Sequence, residues 1–153
     1  MTDRSAFSDD EWREIVDAPL RATLAMVAAG EHGPISMVKE ASASARAISR
    51  PGERGAASEL ITQIAAEAEG KEARHDAKVH HGKSTDDITA IALSELEPAA
   101  TALRKLSPAE AAEVAGWLVD IARAVADASK GVSEKEQATI DRIAALFQVT
   151  GGT

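Results

Sequence analysis

Val114 to Phe147 read VAGWLVDIARAVADASKGVSEKEQATIDRIAALF. Val114, Leu118, Ile121, Ala122 and Val125 recur at spacings of 3 and 4, which lines up one apolar helical face. The pattern stops at Ser129, Lys130 and Gly131. There Gly131 suits a left-handed C-cap and Lys130 complements the negative end of the helix dipole. Ser133, Glu134, Lys135 and Glu136 then spell a capping box. In that motif the serine hydroxyl accepts from the backbone N–H of Glu136, and the glutamate carboxylate accepts from the N–H of Ser133. Ile140, Ile143, Ala144 and Phe147 supply a second apolar face. The stretch predicts a helical hairpin with a short acidic connection.

Residues 22–48 echo it: ATLAMVAAGEHGPISMVKEASASARAI. Each copy has an alanine-rich helix end, a glycine turn, a β-branched residue followed by serine (Ile35 and Ser36, Val132 and Ser133), and a glutamate in the next turn (Glu40, Glu136). This doubled layout resembles the TerB-like family of bacterial tellurite-resistance proteins. The resemblance implies an all-α fold in which two pseudo-repeated hairpins pack as a pair. It also implies that their acidic turns form a cation-binding surface. Carried over by position, the ligands it implies are Asp127 and Glu136, with Glu40 and Glu31 as contributors from the first hairpin. That first copy departs from the pattern, with Glu31 in place of an aspartate and Gly33 and Pro34 inserted in the turn. The resemblance covers the two hairpins and not the middle of the chain.

The 153 residues suit one domain spanning 1–153, large enough to bury roughly 70% of its unfolded-state surface. Hydrophobic content of 44% and charged content of 27% are those of a globular protein, while aromatics are scarce at 3%. Abundant alanine favours helix. No cysteine is present, which excludes disulfides and thiolate metal sites. No apolar run reaches the length of a membrane span. The polar, acidic start reads as no signal peptide, so a cytoplasmic location is expected. A net charge of −8 argues against a nucleic-acid partner and fits cation binding, a basic partner or simple solubility.

Along the chain, Ser8 with Glu11 forms a capping box, and Phe7 can staple onto Trp12. Residues 1–7 are expected to be flexible. The face Trp12, Ile15, Val16, Leu20, Leu24, Val27 follows, with a kink or break expected at Pro19. Trp12 reads as a packing anchor. A second helix is expected from Ser36 to about Arg50, and Ser42 and Ser44 in it read as spacers. A third is expected over 55–69. Residues 70–84 read as an irregular connector, in which Asp76 and His80 have a chelating spacing but His75 and His81 do not converge with them. A fourth helix, capped at Ser84, carries an apolar stripe from Ile88 to Leu106 with a kink at Pro98. Ser107, Pro108 and Glu110 restart a helix after a one-residue joint, and Trp117 falls at the edge of the Leu118 face. The whole predicts a bundle of six to seven helices.

The chain has no glycine-rich phosphate loop, nucleophile elbow or paired-cysteine site. Its one concentration of ligand chemistry is the acids of the two hairpins. Calcium or magnesium takes several oxygens of the kind that helix-end carboxylates and turn carbonyls supply. Glu136 and Asp127 also have plainer roles available, as a cap and as a solvated helix residue. Two functions follow as expectations. One is a non-enzymatic stress-response or metal-sensing module that binds a divalent cation. The other is a helical adaptor that docks on a protein partner and binds no metal.

Overall fold

Ser8 accepts the backbone N–H of Glu11 on its hydroxyl, and Glu11 accepts the Ser8 N–H in return. That reciprocal pair opens α1, Asp9–Ala29. The computed structural model describes residues 4–30, 34–49, 59–72, 84–128 and 133–147, with the backbone alone for residues 34–41, 69–72 and 85. After α1 come α2 (Pro34–Ser49), α3 (Glu59–Glu72), α4 (Thr85–Glu95), α5 (Glu97–Leu103), α6 (Pro108–Asp127) and α7 (Glu134–Leu146). The fold is all-α, with seven α-helices and no strand among the described residues. No helix among them is long and apolar enough to cross a membrane.

Of the segment expected to be flexible, residues 4–7 are described, and only Phe7 among them is buried. Arg4–Ala6 make a single 3-10 turn. Phe7 is buried, with its ring 6.0 Å from that of Trp12. Arg4 pairs with Asp9 and stands over the Trp12 ring.

α1 is the hub and packs against every other helix, most extensively against α4. Two ties set its direction relative to α4 and α5. Lys105, just past α5, meets Glu11 in the first turn of α1 at 2.6 Å. Arg21, further along α1, donates to the backbone oxygen of Glu95 at the end of α4 at 3.0 Å. The α4–α5 arm therefore runs antiparallel to α1. Arg21 also pairs with Glu14, Asp17 and Glu95. A guanidinium on the last carbonyl of α4 suits the negative end of that helix.

Buried residues from all seven helices form one core cluster. Leu118, Ile121, Val125, Ile140, Ile143, Leu96 and Leu103 belong to it, and Leu24, Val27 and Phe147 pack against its edge. The apolar faces read from the sequence thus meet in one core.

Several boundaries differ from the sequence reading. α1 runs unbroken through Pro19, which is buried within it. The neighbours of α1 hold both halves in line across the missing donor. α2 begins at Pro34 rather than Ser36. Proline suits a first helical turn, where its N–H is not needed. α3 begins at Glu59 and continues through Gly70 to Glu72. The Pro98 break is real, with Leu96 as the joint and Pro98 in the first turn of α5. The stripe then leaves the helix at Leu103. Arg104, Lys105 and Leu106 donate to Thr101, Ala102 and Leu103, a tightened turn that keeps Leu106 buried off the helix. The joint before α6 is accordingly four residues, 104–107, and not one. Trp117 is not at an edge: it is 1% exposed. α2 packs on α6 along the flank next to the Leu118 stripe and covers it.

Candidate functional site

The antiparallel course of α1 and α4 puts the end of α1 at the start of α4. Lys135 in the first turn of α7 reaches Asp86 in the first turn of α4 at 3.5 Å. The start of α7 therefore lies at this same end of the bundle. The C-terminus of α1 and the N-termini of α4 and α7 are thus at one end of the bundle.

The capping box at Ser133 forms as the sequence spells it. The Glu136 N–H donates to the Ser133 hydroxyl at 3.2 Å, and the Ser133 N–H donates to Glu136 Oε1 at 3.1 Å. Glu136 is only 2% exposed. A glutamate at the third helical position can leave its second oxygen in water, but here Oε2 is buried with no hydrogen-bond partner among the described residues. Sequence reading assigned Glu136 a cap or a ligand and gave no sign of this burial. The signal was present in part: Glu136, Ile140 and Ile143 share one face at spacings of 4 and 3.

Asp127 is the last residue of α6 and is exposed. Asp127 is in solvent, and Glu136, nine residues on in sequence, is buried. The side chain of Glu40 and all of Glu31 lie outside the described residues, as do His75, Asp76, His80 and His81. Among the described residues, no three His, Cys, Asp or Glu side chains gather in a group that could hold a metal ion.

Ser44 is buried and shares a 2.6 Å hydrogen bond with Thr23. It fastens α2 to α1. Trp12 donates its indole N–H to Glu67 at 2.6 Å and holds α3 to α1. Both side chains are structural.

The other end of α7 offers a different surface, which the sequence did not suggest. Its last turn leaves two adjoining hollows that share Leu146. One, of about 330 Å³, lies toward α5 and α6 and includes Leu103, Leu106 and Phe147. The second, of about 370 Å³, lies toward α4 and includes Ala90, Leu93 and Ala145. Together they make an open, mainly apolar groove along the α4–α5 arm.

Compared with protein-family models, curated proteins and solved structures, the chain matches none.

Proposed function

We propose that the chain is a non-enzymatic TerB-like helical module that binds a divalent cation, calcium or magnesium, at the α6–α7 turn. One observation supports this most directly, the Glu136 carboxylate. It is buried, and Oε2 meets no donor among the described residues. An unsatisfied buried carboxylate oxygen costs free energy that a hydrogen-bond donor or a cation would offset. Asp127, at the end of α6, adds a second carboxylate, and backbone carbonyls are hard-cation ligands of the kind required. The doubled hairpin of the sequence supports the family reading, with Glu40 and Glu31 as contributors from the first hairpin. Within it, a role in bacterial stress response of the tellurite-resistance kind is the pathway we propose.

The test is a calcium and magnesium titration of the chelator-treated protein at low salt, read by thermal melting. A cation that binds only the folded state stabilises it by about 2.7 kcal/mol at a hundredfold excess over its dissociation constant. An unchanged melt at millimolar calcium and magnesium removes the cation module.

A second reading is the helical adaptor that docks on a protein partner. The apolar groove along the α4–α5 arm favours it, because exposed apolar surface of this kind marks interaction sites.

A further inference from the structure

The groove has a charge opposite to that of the protein around it. The chain carries −8 overall. Yet Arg104 lines the hollow on the α5 side and Arg142 the hollow beside α4. Both are exposed, and neither has an ion-pair partner among the described residues. Among the described residues, Glu97 is the one acidic side chain lining either hollow. Arg4, Arg13, Arg21, Lys105 and Lys135 are answered by nearby acids, while among the described residues Arg46 and Arg123, away from the groove, are unpaired as Arg104 and Arg142 are. The groove is thus an apolar trough with two unanswered guanidiniums on an acidic molecule.

Its dimensions suit a helix. Ala90, the pair Leu93 and Ser94, Glu97, Ala100 and Arg104 follow one another at three to four residues along the α4–α5 arm. From Ala90 to Arg104 the arm rises roughly 20 Å, about four helical turns. Leu146 stands between the two hollows as a ridge, so an occupant must straddle it with side chains on successive turns. Amphipathic helices engage grooves in this way, through anchors spaced i, i+3 or i+4, and i+7. The whole-chain charge points to a basic partner, but the partner of this surface is selected by local charge, which is positive.

Resting on the adaptor reading, we propose that the groove between α7 and the α4–α5 arm docks an amphipathic helix of a partner protein. The partner helix presents apolar anchors to Ala145, Leu146 and Phe147 and acidic flanks to Arg104 and Arg142. The apolar contacts supply affinity, and the two arginines select the sign of the flanks and set orientation.

The probe is a fluorescein-labelled synthetic peptide of about 16 residues, long enough to cover the groove, with leucines at helical spacing and glutamate flanks. A second peptide carries lysine in place of every glutamate. Binding is followed by fluorescence anisotropy at low salt, and the site is located by amide exchange. Wild-type protein should bind the glutamate peptide about tenfold tighter than the lysine peptide, with added protection over α7 and the α4–α5 arm. Arg104→Glu with Arg142→Glu should reverse that preference while leaving the melting temperature of the free protein within about 2 °C. Equal binding of the two peptides overturns the acidic partner but keeps the docking groove. Binding of neither overturns the adaptor reading itself. A concentration-dependent dimer that buries Leu146 makes a second copy of this chain the occupant, and overturns the proposal.

Discussion

Trp117 donates its indole N–H to the backbone oxygen of Ala47, 3.2 Å away across the α2–α6 contact. Ala47 is in the last turn of α2, where carbonyls lack intrahelical donors. Its i+4 partner would be Pro51, which has no N–H. The indole of α6 therefore caps the C-terminus of α2. Trp117→Phe keeps most of the apolar volume and strands that carbonyl. It should cost about 1–3 kcal/mol by urea unfolding, against about 3–5 for Trp117→Ala. A Phe variant as stable as wild type would mean that the indole only fills space.

Ile121 is 0% exposed at the middle of α6. Ile121→Ala removes buried methyl groups and leaves a cavity between α6 and its neighbours. The expected loss is about 2–5 kcal/mol. A loss below about 0.5 kcal/mol would mean that the surrounding helices collapse onto the space.

Gly116 has the opposite character. It lies inside α6, half-buried, and a Cβ built on it meets nothing within 4 Å. Glycine in a helix interior destabilises by about 0.5–1 kcal/mol relative to alanine. Gly116→Ala should therefore raise the melting temperature by about 2 °C, checked by calorimetry. A lower melting temperature would show that this face of α6 closes on another surface in solution.

The helices were legible wherever a local rule sufficed. Caps at Ser8, Ser84, Ser107 and Ser133 all accept the backbone N–H three residues on. The Phe7–Trp12 staple is a local pair as well. Errors arose where a distant element decided the outcome. Pro19 weakens a helix locally, but tertiary packing carries α1 through it. Trp117 is one step off an apolar stripe, and only the presence of α2 on that flank buries it. The candidate site divides the same way. The Ser133–Glu136 cap could be read from four residues, while the burial of Glu136 depends on how α7 sits against its neighbours. The groove depends on where the last turn of α7 leaves the α4–α5 arm uncovered, and no sequence period encodes that.

Glu11 links the first turn of α1 to the joint after α5. Its pKa lies below the ordinary glutamate value, first because the Lys105 ammonium donates to it and then because of the Ser8 N–H. A depressed carboxyl contributes stability that is present above its unfolded-state value and lost as the pH falls through its folded-state value. Lys105→Met removes the largest cause. The stability gap between wild type and Lys105→Met should be full at neutral pH and close as the pH falls below the ordinary glutamate value and Glu11 is protonated. Carbon-13 titration of the Glu11 carboxyl should show its midpoint move up in the variant. A gap that persists unchanged in acid would assign the effect of Lys105 to packing of its stem.

Glu136 allows the cap and the cation role to be separated. Glu136→Gln keeps an oxygen to accept the Ser133 N–H and replaces the unpartnered Oε2 with an amide. In chelator the variant should be as stable as wild type or more so, because a buried carboxylate oxygen without a donor has been removed. Glu136→Ala removes the cap as well and should lose about 1 kcal/mol under the same conditions. With calcium at a hundredfold excess, wild type should gain about 2.7 kcal/mol and Glu136→Gln little of it. Asp127→Asn, at an exposed position, should leave stability in chelator unchanged and lose most of the calcium gain. Thermal melts of the four proteins with and without calcium decide the matter. If Glu136→Gln retains the full calcium gain, the cation is bound elsewhere and Glu136 is a cap alone.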